Sequence, residues 1–123
     1  MTQEDKQLLL KDLCARLPYG MKFQGEDSNV YTLDAANYFA LQVEDMVFKP
    51  YLRPMSSMTK EEKDNLQSLH DIISNENYGD GYSPSAWNAI TEWEDYCNAR
   101  HLDYRGLIPM GIALEAPEGM YEV

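Results

Sequence analysis

MKFQGEDSNVYTLDAANYFALQVEDMVFKPYLR, residues 21–53, decides the fold class of this 123-residue chain. Within it, short runs rich in aromatic and β-branched residues (MKFQ, NVYTL, YFALQV, MVFKPYL) are separated by the turn formers GEDSN and DAAN, the pattern of strands punctuated by turns. Three or four short antiparallel strands are expected, curled into a small sheet or open barrel. The alternation of Val30 and Thr32 with Tyr31 and Leu33 predicts one buried face and one partly wet face. Pro50 and Pro54 each lack a ladder donor, which predicts that the last run is an edge or exit strand.

On both sides of this segment the period changes from two to about 3.6. On the N-terminal side, Thr2 with Asp5 gives a capping signal, and Leu9, Leu10, Leu13, Cys14 and Leu17 recur at spacings of three and four. A helix over about residues 3–17, stopped by Pro18-Tyr19-Gly20, follows from that stripe. On the C-terminal side, Thr59 with Glu62 forms a capping box ahead of Leu66, Leu69, Ile72 and Ile73, predicting a helix over 60–74. NENYGDGY, residues 75–82, reads as a plain loop. Ser83-Pro84 then places a cap and a first-turn proline before Trp87, Ile90, Trp93 and Cys97, so a third helix is expected over 84–100 with these large groups in the core. Gly106, Pro109, Gly111, Pro117 and Gly119 break the tail and leave room for one helical turn and a short strand at IALE, residues 112–115. The fold class is α+β: an N-terminal helix, a small antiparallel sheet or open barrel, two further helices and a short C-terminal return, in a single domain over residues 1–123.

Composition bounds the function. A 44% hydrophobic and 25% charged chain with nine tyrosines and two tryptophans has the material for a packed core. Its 21 acids against 10 bases give a net charge of −11, and the bases occur as singles or loose pairs such as Lys60 with Lys63 and Arg100 with Arg105. Direct nucleic-acid binding lacks its electrostatic footprint, whereas an acidic mimic of nucleic acid stays open as an alternative. No run approaches the roughly 18 apolar residues of a membrane span, and MTQEDKQLLL carries no basic leader. Cys14 and Cys97 lie in separate helical patterns and are expected as free buried thiols of a reducing, cytoplasmic interior.

Two stretches carry candidate chemistry. HLDYR supplies His101, Asp103, Tyr104 and Arg105 within five residues, groups able to do acid–base work or grip an anion. The structural alternative is a helix exit in which Asp103 caps the next turn and Arg105 pairs with an acid. PYLRPMSS sets Tyr51 beside Arg53 on a proline-stiffened segment, either a recognition surface or a steer from the last strand into the second helix. In NENYGDGY an EF-hand loop fails, because Gly79 stands at the fifth position, Asp80 where glycine is required and Ala86 at the twelfth. Two Cys and two His lack zinc spacing, and phosphate loops, nucleophile elbows and HExxH helices are absent; no catalytic residue, metal or cofactor is assigned.

LLLKDLCARLPYG (8–20), KPYLRPMSSMT (49–59) and LDYRGLIPMGIALEAPEGMY (102–121) together resemble a group of small uncharacterised proteins of gut Bacteroidales and their phages or mobile elements. The resemblance implies an intracellular, phage- or mobile-element-associated setting and brings no catalytic residues with it. The favoured expectation is an interaction protein that binds a protein partner, or itself, through the β segment and its exit. A binder of a nucleotide-like anion using Arg53, Arg105 and tyrosines such as Tyr51 and Tyr104 is the alternative, and an enzyme resting on His101 and Asp103 is the least supported.

Overall fold

The computed structural model describes residues 2–25, 27–34, 49–75, 77–78, 81–82 and 84–121. The chain runs α1 (Gln3–Arg16), a 3₁₀ turn (Leu17–Tyr19), β1 (Lys22–Gln24), β2 (Val30–Thr32), β3 (Lys49–Leu52), a second 3₁₀ turn (Met55–Ser57), α2 (Lys60–Asn75), β4 (Asn77–Tyr78), β5 (Gly81–Tyr82), α3 (Pro84–Ala99) and β6 (Leu114–Glu115). This is the expected α+β order of a helix, a sheet, two helices and a C-terminal return. The YFALQV run and Ser83 lie outside the described residues.

Local chemistry explains the helix ends. The Thr2 hydroxyl accepts from the Asp5 amide at 3.0 Å while the Asp5 carboxylate reaches back to the Thr2 amide, a complete capping box. Thr59 and Glu62 repeat the device, with amide-to-side-chain bonds of 2.9 and 3.2 Å. Pro84 opens α3, where a missing N–H costs nothing.

The main sheet has the order β2-β1-β3-β6. β1 pairs antiparallel with β2 (Phe23 opposite Tyr31) and with β3 (Phe23 opposite Pro50), whereas β3 and β6 are parallel (Tyr51 opposite Leu114). The sheet is therefore mixed, and β3, expected as an edge or exit strand, is an interior strand from which the chain leaves toward α2. Its proline is tolerated for a geometric reason. The Leu52 carbonyl faces β6, where it accepts from the Ala116 amide at 2.8 Å, so by alternation the Pro50 nitrogen faces the same side, ahead of the point where β6 begins. Gly25 closes the β1–β2 turn, and a Cβ there would lie 2.7 Å from the Tyr31 ring. The stretch read as a plain loop instead forms a two-stranded hairpin, with Asn77 opposite Tyr82 and Tyr78 opposite Gly81.

The larger apolar cluster joins Leu9 and Leu13 of α1 to Met21, Phe23, Leu33, Leu52, Leu107, Ile112 and Ala113. A second gathers Leu66, Cys97 and Leu102, flanked by Met55, Met58, Trp93, Tyr96 and Tyr104. Three expectations about burial are corrected. On α1 the inward positions pass through Leu9, Asp12, Leu13 and Arg16, so Cys14 is turned out and exposed while Cys97 is buried. On α3 the inward stripe runs through Ala86, Ala89, Trp93 and Cys97, leaving Trp87 one position off it and 58% exposed. On α2 the stripe passes through Glu62, Leu66, Leu69 and Ile73, with Ile72 outside it.

One side chain closes the sheet where the strands leave a gap. Tyr121 donates its hydroxyl to the Tyr51 carbonyl at 2.7 Å and accepts from the Lys22 amide at 2.8 Å. It thus satisfies backbone groups at the start of β1 and the middle of β3, and burial pushes its phenol up to about 12. Tyr121→Phe keeps the ring and strips both bonds. The expected loss is about 1–3 kcal/mol, the cost of leaving buried polar groups unpaired, read as a lower urea midpoint with an unchanged slope.

Candidate functional site

Arg16 sits at the last turn of α1 with no exposed surface, as does Asp12 one turn earlier. Burying a guanidinium is costly unless its charge and donors are met. Arg16 meets its charge and two of its three nitrogens, Nη1 being buried with no partner among the described residues. Arg16 Nε donates to Asp12 Oδ2 at 2.8 Å, and Nη2 donates to the Leu102 carbonyl at 2.6 Å. The other carboxylate oxygen, Asp12 Oδ1, accepts from Arg105 Nη1 at 2.8 Å. The guanidinium carbons of Arg16 and Arg105 lie 5.5 and 4.6 Å from the centroid of the Tyr104 ring, within cation–π range. One carboxylate thus holds two arginines, one local and one from the far end of the chain.

His101 makes the turn that presents this far segment. Its backbone is left-handed, with φ of 62°. The His101 amide donates to the Asn98 carbonyl at 3.2 Å, and the Leu102 amide to the Cys97 carbonyl at 2.9 Å. These two bonds, with Leu102 packed against Cys97, form the Schellman ending of a helix. Glycine is the usual occupant of that position. Histidine brings a ring that stacks on Tyr121 at 3.8 Å and 14°. Burial, followed by the charges of Arg16 and Arg53, depresses the imidazole to about 4, so the ring is neutral near pH 7. Asp103 then caps the following turn, its two oxygens accepting from the Leu107 and Ile108 amides at 2.8 and 2.9 Å.

Arg53 leaves β3 and bridges the same segment. Its amide donates to the His101 carbonyl at 2.7 Å, and its carbonyl accepts from the Asp103 amide at 2.8 Å. The guanidinium forks onto Glu62, with Nη2 to Oε1 at 2.7 Å and Nη1 to Oε2 at 2.8 Å, and also donates to the carbonyls of Ser57 and Arg100. The Arg53 fork, opposed by burial and aided by the Thr59 amide, holds the Glu62 carboxyl down at about 2. Glu62 therefore caps α2 and neutralises Arg53 at once.

The structure brings the two sequence-predicted groups together, and it spends them internally. Arg53 is buried rather than presented on a surface, and Tyr51 is half-buried with its carbonyl taken by Tyr121. Asp103 holds backbone amides and not His101, so no acid–base dyad forms between them. Arg53 and Arg105 are both paired with carboxylates, Glu62 and Asp12. Asp12, Arg16, Glu62 and Tyr121 were not singled out from the sequence as site residues. The first two share the inward arc of Leu9 and Leu13 at helical spacing, which is a readable signal; Tyr121 carries none. Among the described residues no cluster of His, Cys, Asp and Glu is arranged to hold a metal, and no helix is long and apolar enough to cross a membrane.

Two concavities lie beside this junction. A cleft of about 310 Å³ is bounded by Arg53, Pro54, Ser57 and Thr59 on the exit of β3 and by Glu115, Ala116, Pro117, Glu118, Gly119 and Tyr121 on the C-terminal return. A shallower groove of about 470 Å³ runs along α2, lined by Met55, Met58, Lys63, Leu66, Gln67, His70, Ile73 and Trp93. No protein-family model, curated protein or solved structure matches this chain.

Two outcomes test the junction. Arg16→Met leaves Asp12 buried with Arg105 alone and should destabilise the fold by about 3–5 kcal/mol, the scale for breaking a buried ion pair from one side. Arg16→Lys should not restore stability, since an ammonium cannot fork between Asp12 and the Leu102 carbonyl. Stability should also fall in two steps on acidification. An imidazole depressed from 6.5 to about 4 leaves the unfolded chain binding the extra proton, so stability declines as pH drops from 6.5 to 4. Glu62, depressed from 4.5 to about 2, adds a second decline from 4.5 to 2. Each slope approaches about 1.4 kcal/mol per pH unit, the value for one proton. Urea midpoints measured across pH 2–8 should show His101→Phe without the upper step and Glu62→Gln without the lower one.

Proposed function

We propose that this chain is a protein-interaction module, in the phage- or mobile-element setting its sequence resemblance implies, and that it docks a protein partner in the cleft between the exit of β3 and the C-terminal return. The observation that carries this reading is the contrast between the cleft and its surroundings. Asp103, Arg105 and Arg53 are taken up by capping and ion pairing and the His101 ring by stacking, leaving His101 Nδ1 and the Tyr104 hydroxyl buried without a hydrogen-bond partner among the described residues. The cleft beside them, by contrast, is open and bounded largely by exposed residues, Ser57, Thr59, Glu115, Pro117, Glu118 and Gly119.

Its walls suit docking better than catalysis. Pro54 and Pro117 stand on opposite sides and stiffen the two segments, which reduces the ordering cost on binding. A volume of about 310 Å³ lies at the small end of ligand sites and accommodates one or two inserted side chains. Neither a nucleophile paired with a base nor an oxyanion-binding pair of amides lines it.

The test compares the intact protein with Ala116→Trp, in which an indole fills the cleft from its half-buried wall. Both are used as affinity baits in host cells and read by mass spectrometry. The reading expects a stoichiometric partner with the intact protein, its loss with Ala116→Trp, and matching circular dichroism and urea midpoints for the two baits. Recovery of the same partner by both baits would move the docking site elsewhere.

A further inference from the structure

We propose, resting on the docking reading above, that the occupant of this cleft is an extended protein segment carrying a lysine or arginine, which pairs along the outer edge of β6 and sets its cation between Glu115 and Glu118. Three independent features support this assignment.

The first is an open backbone edge. β6 is the end strand of its sheet. The Ala116 amide faces inward to the Leu52 carbonyl at 2.8 Å, so by alternation the N–H and C=O of Glu115 face outward, where no strand lies among the described residues. Unpaired edge groups are a template for an added strand. β6 has only two residues, and Pro117 follows directly after Ala116, so the edge offers one residue's pair of hydrogen bonds. So short a ladder needs a side-chain anchor next to it.

The second feature is the charge of that anchor site. Glu115 and Glu118 are exposed, line the cleft, and make no ion pair among the described residues. The cleft's cation, Arg53, is neutralised by the bidentate bond to Glu62. The cleft therefore carries uncompensated negative charge against walls that include Pro54, Ala116 and Pro117. An aliphatic stem ending in a cation fits such a surface, with methylenes on the apolar wall and the charge at the carboxylates.

The third feature is the field of the whole molecule. A net charge of −11 steers cationic segments toward the surface and repels a second copy of the same chain. Edge-to-edge self-association is thereby disfavoured, and a basic partner is selected.

The experiment uses the ¹⁵N-labelled full chain and three eight-residue probes: an alternating Lys-Thr peptide, its Glu-Thr counterpart, and the Lys-Thr peptide with N-methylated backbone amides. The proposal expects the Lys-Thr peptide to shift the amide signals of residues 114–119 and 54–59, to weaken with added salt, and to lose affinity by about tenfold or more on N-methylation or in Glu115→Lys/Glu118→Lys, the scale of a charge-assisted hydrogen bond. The Glu-Thr peptide should not bind. Shifts spread over the acidic surface, shifts confined to the α2 groove, or no binding by the Lys-Thr peptide would each overturn it. The natural partner separates the two levels of the claim. If capture is abolished by Ala116→Trp but is indifferent to Glu115→Lys/Glu118→Lys and to salt, docking stands and the cationic occupant is wrong. If capture is indifferent to Ala116→Trp, the docking reading itself fails.

Discussion

A guanidinium with no exposed surface needs its charge countered inside the protein, and Arg16 is such a group, bonded through Nε and Nη2 while Nη1 has no partner among the described residues. Its own helix supplies Asp12, and the Leu102 carbonyl supplies an acceptor from the other end of the sequence. Asp12 then recruits Arg105. These bonds lock α1 to the segment after α3, and the apolar contacts of Leu9 and Leu13 with Leu107, Ile112 and Ala113 fill in around them. The arrangement is directional in a way that apolar packing is not, because a shift of one turn along α1 would strand charges in the interior.

The same segment draws a dense set of reactive residues into structural contacts. Histidine, aspartate, tyrosine and arginine in five consecutive positions give the impression of a catalytic site, yet the imidazole ring, Asp103 and Arg105 are each held by a different structural demand, while His101 Nδ1 and the Tyr104 hydroxyl are buried without a hydrogen-bond partner among the described residues. A left-handed helix ending places the imidazole against Tyr121, two unpaired amides claim Asp103, and Asp12 claims Arg105. Arg53 and Glu62 likewise form a splint between β3 and α2. Between these fixtures lies the cleft in which Glu115 and Glu118 make no ion pair among the described residues.

Local signals in the sequence carried most of the architecture. Thr2 with Asp5 and Thr59 with Glu62 mark their helices correctly because a capping box involves neighbours three residues apart. The Leu9–Leu13 spacing identifies the inner face of α1 for the same reason. Longer-range constraints were invisible. Pro50 reads as an edge residue unless one knows that a strand from the tail pairs beside it and starts one step later. Trp87 reads as core because its spacing to Ile90 and Trp93 is helical, although the inward stripe passes through Ala86 and Ala89 instead. His101 stands where glycine would have advertised a helix end, and Tyr121 gives no warning that its hydroxyl joins two strands. For the candidate residues, type and proximity were legible, but their commitment to Asp12, Glu62 and backbone amides depends on contacts that cross most of the chain.

The parallel pairing of β3 with β6 has a kinetic consequence. Tyr51 meets Leu114 only after both long helices and their hairpin have been traversed, so closing this ladder carries the entropy of a large loop and belongs late in folding. Glu115 acquires an outward-facing edge, and the cleft acquires its second wall, only when that closure is complete. A partly folded molecule therefore lacks this edge, and the recognition proposed for it would double as a check that the sheet has closed.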